Sequence, residues 1–184
     1  MAEMMVGAAE VQITPPLGTE LAGYFHPRVS DGVISELMAK AVVVGEGEER
    51  VALCACDLIT MIEEISSQAR EKIEAATGIP GERVMICATH THTGPELRKN
   101  RPIARNEEWI ETLPGLIAES VITAADNQQQ AIVGVGMDEE RGLAFNRRFR
   151  YRDGREAFGV KDAEEVVGPA GPTDPINGDH MLGG

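Results

Sequence analysis

The spacing of apolar residues predicts two long helices. Apolar positions three and four residues apart predict a helix over 62–77, and Gly78 ends it. A second helix is predicted over 107–127, with Asn106 as its N-cap and two glutamates in its first turn. Pro114 and the glycine after it lie inside this second pattern, so we expect the helix to kink there.

Apolar runs outside the helices predict the strands. The polar turn over 45–49 joins two of these runs as in a hairpin, and Pro15-Pro16 stops the first strand. The segment 145–158 alternates around Asp153-Gly154, which is a strong hairpin signal. The other predicted strands are 6–14, 38–45, 51–56, 84–88 and 131–137.

The order of these elements predicts an α/β fold, with a layered mixed sheet, flanking helices and antiparallel additions at both ends. Residues 1–167 are expected to form this domain. Residues 168–184 contain glycine, proline and polar residues with little to bury, so we expect an irregular tail there.

Composition narrows the class of protein. The 184 residues carry a formal net charge of −13, which argues against nucleic acid and anionic membrane surfaces as partners. No apolar run is long enough to span a bilayer, and no signal peptide is visible. We therefore expect a cytoplasmic protein, with secretion and the oligomeric state left open.

The cysteines all lie inside apolar, strand-like runs. An odd number of thiols in such positions predicts that Cys54, Cys56 and Cys87 are buried and free, in a reducing compartment. A Cys-x-Cys metal pair is the alternative. The apolar neighbours on both sides favour the core instead.

The segment that follows the predicted strand 84–88 carries the clearest chemical signal. It contains His90 and His92 and ends in Gly94-Pro95. In an extended chain, residues i and i+2 point to the same face, roughly 6–7 Å apart. The two imidazoles are therefore expected to share one metal or catalytic site at a strand end, and two solvated loop histidines are the alternative. Asp57 lies at the end of another predicted strand. It could be a hydrogen-bond partner of a ligand histidine or a helix N-cap, and we slightly favour the cap.

Several short blocks of the chain, taken together, point to a known family. In chain order they are 7–16, 21–24, 39–44, 57–58, 88–95, 146–148 before 153–154, and 171–175. The most specific element is His-Thr-His-Thr-Gly-Pro, over 90–95. These blocks resemble the neutral/alkaline, non-lysosomal ceramidase family, and most strongly its bacterial members of unassigned substrate. The likeness covers nearly the whole chain.

This resemblance implies a zinc amidase that splits the N-acyl bond of ceramide, and a fold that is an incomplete version of the ceramidase N-terminal domain. It implies that His90 ligates zinc and that His92 faces the substrate near the metal-bound water. Zinc suits this reaction because it can activate water and polarise the carbonyl.

The resemblance also implies residues that contact the substrate. Arg147, after Asn146, would lie near the substrate and add positive charge where the oxyanion develops. A solvated hairpin arginine is an equal alternative, because further arginines follow on the same strand. Gly23, beside Tyr24, would lie near the mouth of the site.

The chain departs from the family in ways that predict an incomplete metal site. In the family a second histidine, a glutamate and a tyrosine complete the zinc ligands from sequence beyond the end of this chain. The segment 32–35 also lacks the histidine found there in relatives. We therefore expect a hydrolase fragment acting on a small-molecule or lipid amide. The alternatives are an amidohydrolase or metallo-β-lactamase type of enzyme, which Thr93-Gly94-Pro95 weighs against, and an inactive binding module.

Overall fold

The structure is a computed structural model that describes residues 2–24, 26–140, 142, 144–173 and 176–183. It divides into two compact units. The N-terminal unit contains residues 3–131, and the C-terminal unit contains residues 132–183 and Ala2. No helix of the described residues is long and apolar enough to cross a membrane.

A mixed sheet with two helices forms the N-terminal unit. Its elements are β1 (Ala2–Gln12), β2 (Met38–Val44), β3 (Val51–Cys56), α1 (Glu63–Thr77), β4 (Val84–Ala88), α2 (Glu107–Asp126) and the first residues of β5 (Gln129–Glu139), with short 3-10 turns at Gly47–Glu49 and Gly81–Arg83. The sheet contains the strand order β4-β3-β2-β1. The pairs β1–β2 and β2–β3 are antiparallel, whereas β3 and β4 are parallel.

Both helices pack on one face of this sheet. The strand residues beneath them are small or β-branched, such as Ala41, Cys54 and Val84, and are almost fully buried. Gly7 allows a close approach of β1 to the end of α2, because a Cβ there would lie 1.9 Å from the carbonyl oxygen of Ala124. The two helices and the sheet therefore enclose one aliphatic core.

The other face of the sheet is less covered. Val42, Leu53 and Met85 stand side by side in the strand register on this face. Leu53 is 52% exposed and Met85 is 59% exposed. The apolar runs of β3 and β4 therefore present aliphatic side chains on both faces, and only one face carries the helices.

The helix ends follow the signals in the sequence. Asn106 caps α2, since its Oδ1 accepts a hydrogen bond from the backbone N–H of Trp109 at 3.1 Å. Gly78 ends α1 in the left-handed conformation, at φ 73°. The helix α2 continues through Pro114. The predicted helices, their N-cap and their C-terminal glycine are confirmed.

The C-terminal unit is built from strands. Besides the rest of β5, its strands are β6 (Arg148–Tyr151), β7 (Glu156–Phe158), β8 (Val166–Pro169) and β9 (Ile176–Gly183), with a 3-10 turn at Ala163–Glu165. The strand β9 pairs antiparallel with β5. A second sheet has the order β7-β6-β8. The antiparallel pair β6–β7 confirms the predicted hairpin around Asp153-Gly154.

The predicted fold class, a layered mixed α/β sheet with flanking helices, is confirmed. The expected irregular tail over 168–184 differs from the structure, because β8 extends into it and β9 occupies much of it. The backbone of β9 finds its hydrogen-bond partners on β5, and such a distant partner leaves no mark in local composition. The strand β1 ends at Gln12, two residues before the predicted end.

Candidate functional site

The two histidines lie together on the loop that follows β4. Their ring centroids are 5.0 Å apart and their planes are inclined by 72°. Both residues are exposed to solvent. The prediction that the imidazoles come together is confirmed, but its reason was wrong. His90 has φ 64°, so a left-handed turn brings the rings together where an extended chain was expected.

The hydrogen bond of His90 determines which of its nitrogens can act. Its Nδ1 lies 2.7 Å from the carbonyl oxygen of Ile59. A carbonyl oxygen only accepts hydrogen bonds, so Nδ1 carries the proton and the neutral ring presents the lone pair of Nε2. That nitrogen can bind a metal ion or accept a proton.

Asp57 fixes the start of the histidine loop. Its Oδ1 accepts a hydrogen bond from the hydroxyl of Thr89 at 3.1 Å, and its Oδ2 accepts one from the backbone N–H of Met38 at 3.0 Å. The favoured interpretation of Asp57 as a helix cap was wrong, because α1 starts at Glu63 after Ile62, without a side-chain cap. Asp57 instead ties the residue before His90 to the first residue of β2.

Residues 22–24 pack against the histidine loop. The backbone N–H of Ala22 donates to the carbonyl of Gly94 at 2.9 Å. Gly23 lies directly against His92, because a Cβ at Gly23 would be 2.5 Å from the Cγ of that ring. The Tyr24 ring stands edge-on to the His92 ring, with centroids 6.2 Å apart. The structure thus places two of the candidate substrate-binding residues beside His92.

Arg28 contacts both His92 and Tyr24, and the sequence did not predict this. Its Nη2 donates a hydrogen bond to the carbonyl oxygen of His92. Its guanidinium carbon lies 3.6 Å from the centroid of the Tyr24 ring. Arg28 therefore fixes both the backbone of His92 and the neighbouring aromatic ring. Its contact spans 64 residues of sequence, and no local pattern around Arg28 points to it.

An ion pair lies just after the loop, between the buried Glu96 and the partly exposed Arg98. The carboxylate of Glu96 accepts three hydrogen bonds from Arg98, at 2.9, 2.8 and 2.7 Å. Burial opposes the ionisation of Glu96, but the hydrogen bonds and charge of Arg98 outweigh it and lower the pKa of this carboxyl. The pair therefore fixes the local backbone over 96–98, directly after Pro95.

An apolar cleft of about 370 Å³ adjoins the histidine loop. Its connection to the loop is Thr93, the residue after His92. Its other walls come from the segments 14–21 and 30–37 of the N-terminal unit. We call it the apolar cleft. The lining residues are Thr14, Pro15, Leu17, Leu21, Ser30, Gly32, Val33, Ile34, Ser35, Leu37 and Thr93.

Asn146 and Arg147 belong to the C-terminal unit. The guanidinium of Arg147 lies 5.4 Å from the Phe158 ring, and Arg147 is exposed. Asn146 accepts a hydrogen bond from the backbone N–H of Arg148 at 2.9 Å and donates one to Pro172. Their expected contact with the substrate stays a prediction.

Two of the three cysteines are buried as expected. The sulfurs of Cys54 and Cys56 are 3.9 Å apart in the core, and both thiols are free. The hydrogen bond with Cys54 and burial raise the pKa of Cys56. The expectation for Cys87 was wrong, because Cys87 is exposed. It pairs with Ala55 in the register, on the sheet face opposite the helices.

A catalytic zinc ion needs three protein ligands and an open position. His90 and His92 supply two imidazoles of suitable chemistry. Within the part of the chain that the structure describes, no group of three or more histidine, cysteine, aspartate or glutamate side chains could hold a metal ion. The described residues fit part of a zinc site and do not complete one.

Solved structures of ceramidases share this fold. They include the crystal structure of neutral ceramidase from Pseudomonas aeruginosa and a ceramidase complexed with C2. Each matches with a TM-score of 0.67 and 23% sequence identity over 83% of this chain. The chain spans only 25% of the length of each of those chains. No protein-family model and no curated protein matches it. The chain therefore has the fold of one part of a ceramidase, as its sequence blocks led us to expect.

Proposed function

We propose that this chain is part of a zinc-dependent hydrolase that cleaves an N-acyl amide bond. The observation that carries the proposal is the pair of imidazoles, 5.0 Å apart on a strand-end loop of a ceramidase-like fold. The loop is held by Asp57 at its start, by Ile59 at His90 and by Ala22 at Gly94. Such preorganisation is what a catalytic group requires.

We assign His90 as a zinc ligand through Nε2. The bond from Nδ1 to the Ile59 carbonyl orients the ring and leaves Nε2 as the nitrogen available to a metal ion, which is the usual arrangement of a metal-binding histidine. Zinc, when bound, would supply an activated water and a polarised carbonyl. Its remaining ligands would come from further sequence, since the solved ceramidase chains are about four times as long as the matched part.

We assign His92 the role of facing the substrate. Gly23 and Tyr24 contact its ring, and Arg28 holds its backbone carbonyl, so its orientation is fixed. In this position His92 can exchange a proton with a reacting group, as histidine commonly does near neutral pH. Arg147 is proposed to stabilise the developing oxyanion, with Asn146 beside it.

The proposed substrate is an uncharged amide, either a lipid or a small molecule. The acidic chain, with its net charge of −13, does not favour anionic surfaces. The buried free thiols of Cys54 and Cys56 fit a reducing compartment, so we propose the cytoplasm as the location.

Zinc titration by calorimetry tests the assignment of His90. We expect residues 1–184 to bind zinc weakly and to hydrolyse no amide, because two imidazoles hold zinc poorly. His90→Ala should weaken zinc binding by about tenfold or more. His26→Ala is the matched control, an exposed histidine that packs on Tyr24 and should leave zinc affinity unchanged.

The same measurements on a version extended to the full length of the gene test the activity. That version should bind zinc tightly and cleave amides, and His90→Ala should abolish both. His92→Ala should slow cleavage with a smaller effect on zinc content. Tight zinc binding with amidase activity in residues 1–184 alone would contradict the incomplete site. If the extended version has no amidase activity, the result favours the alternative of an inactive binding module.

A further inference from the structure

We propose that Cys54 and Cys56 form a binding site for a divalent cation that prefers sulfur, such as zinc or cadmium, in the core beside α2. The site lies apart from the histidine loop and does not depend on amide cleavage. The Cys-x-Cys spacing allows a metal pair, and the apolar neighbours alone favoured a packing role. The structure adds the distance between the sulfurs, a third donor and a balance of charge.

The two thiols lie close to each other on one side of β3. Residues two apart on a strand point to the same face, and here both side chains point into the core beneath the helices. Their sulfurs are 3.9 Å apart. Two bonds of about 2.3 Å, the length of a zinc–thiolate bond, span this distance at an angle of about 116°, close to tetrahedral. One cation can therefore bridge both sulfurs without a large movement of the strand.

Ser120 of α2 places a neutral oxygen beside the sulfurs. Its Oγ lies 3.5 Å from the sulfur of Cys54, and the residue is fully buried. The hydroxyl donates its hydrogen to the carbonyl oxygen of Ile117 at 2.8 Å, which leaves the lone pairs of the oxygen available. A cation between the thiols thus has two sulfurs and one oxygen as donors.

Small side chains flank the two thiols in the sheet. Ala41 stands beside Cys54, and Cys56 lies between Ala39 and Ala88 in the strand register. A methyl group takes up less of the space beside a sulfur than the longer aliphatic side chains of the core. The sheet therefore leaves room for an ion at the level of the thiols.

The charges of the pair suit a divalent ion. Two metal–sulfur bonds form as two S–H bonds break, and both protons pass to the solvent. The product carries no net charge, so the core holds it without a counter-ion. The hydrogen bond between the thiols lowers the pKa of Cys54 and, together with burial, raises the pKa of Cys56. Binding to the cation removes the second proton, because a coordinating thiol is deprotonated.

The burial of the site determines when it fills. Cys54 is 1% exposed and Cys56 is 0% exposed, so an ion enters as the chain folds or when the core opens. It leaves equally slowly. The histidines of the loop are exposed, so an ion bound there exchanges with the solvent. Zinc added to the folded chain therefore reaches the histidines first.

Refolding with cadmium tests the site, because Cd²⁺ prefers sulfur to nitrogen. Residues 1–184 would be refolded with Cd²⁺ and passed through a gel-filtration column that removes free and loosely bound ions. We expect about one retained cadmium ion per chain, with the ultraviolet absorption of cadmium–thiolate bonds. Cadmium NMR of the unmutated protein should show one signal, shifted as two sulfur ligands require. No retained cadmium, or cadmium without sulfur ligands, would overturn the proposal.

Serine variants locate the ion. Cys54→Ser and Cys56→Ser should each reduce the retained cadmium about tenfold or more. Cys87→Ser is the matched control, the same change at an exposed thiol on the opposite face of the sheet, and it should retain the ion. Equal retention in all three variants, or a loss in Cys87→Ser alone, would place the cadmium elsewhere. Circular dichroism would check that each variant refolds, and if a serine variant does not, the cadmium NMR of the unmutated protein decides.

His90→Ala separates this site from the proposed function. The variant should retain cadmium as the unmutated protein does, because the thiols lie apart from the loop. Loss of cadmium in His90→Ala would assign the retained ion to the histidines and overturn the thiol site. Retained cadmium in a chain whose extended version cleaves no amide would support the thiol site, and the amidase assignment would then fail alone.

Discussion

Adding a single methyl group at Gly23 should displace His92. In Gly23→Ala the new Cβ would lie 2.5 Å from Cγ and 2.8 Å from Nδ1 of the His92 ring. Carbon atoms in contact normally stand about 3.5–4.0 Å apart. The ring would therefore have to move by about 1 Å or more, or residues 22–24 would have to move away from the loop.

The cost has two parts that can be estimated separately. Gly23 has φ 95°, so alanine there adopts a left-handed conformation that costs about 1–2 kcal/mol. The contact with His92 adds the cost of overpacking, about 1–3 kcal/mol. The sum is about 2–5 kcal/mol, a large part of the stability of an ordinary domain.

Gly18→Ala provides the matched control. Gly18 has φ 87°, close to that of Gly23, and a Cβ there would have no atom within 4 Å. It should therefore lose only the backbone part, about 1–2 kcal/mol. The difference between the two variants isolates the contact with the imidazole.

Urea denaturation would give both losses of stability, and imidazole carbon–proton NMR would follow the His92 ring. We expect Gly23→Ala to lose about 1–3 kcal/mol more than Gly18→Ala and to shift the His92 signals. Equal losses in the two variants, with unshifted His92 signals, would refute the close packing of Gly23 on the ring.

Glu96→Gln should destabilise the protein by about 1–2 kcal/mol at pH 7, measured by urea denaturation, because a charged hydrogen-bond acceptor to Arg98 is lost. The folded pKa of Glu96 is lowered, so its contribution is present above the ordinary pKa of about 4.3 and is lost as pH falls through the folded value. The unmodified protein and Glu96→Gln should therefore have equal free energies of unfolding in acid. A difference between them that grows as the pH falls would contradict this. A thiol reagent should label Cys87 rapidly in the native protein and should reach Cys54 and Cys56 only after unfolding. Fast labelling of all three thiols would show that the core is open.

Local signals in the sequence predicted much of the fold. The two helices, the cap at Asn106 and the hairpin around Asp153-Gly154 all depend on residues within a few positions of one another. The face of Cys87 was not predictable in this way. The run 84–88 is apolar at every position, so its alternation does not show which face the helices cover.

The part of the candidate site that was predicted from the sequence also depends on residues close together in the chain. His90 and His92 are neighbours in sequence, so any compact loop brings their rings near each other. Arg28 reaches His92 from a distant segment, and the bond of His90 to Ile59 involves a backbone carbonyl that no residue type signals. Contacts of this kind depend on the tertiary fold and appear only in the structure.

The left-handed backbone at position 90 restricts which residues can replace the histidine. Glycine, asparagine and aspartate adopt this conformation at low cost, whereas alanine or a β-branched residue costs about 1–2 kcal/mol more. Relatives that have lost the imidazole but kept the loop should therefore carry glycine, asparagine or aspartate at this position. For the same reason His90→Asn, compared with His90→Ala, distinguishes the loss of a metal ligand from the loss of the loop conformation.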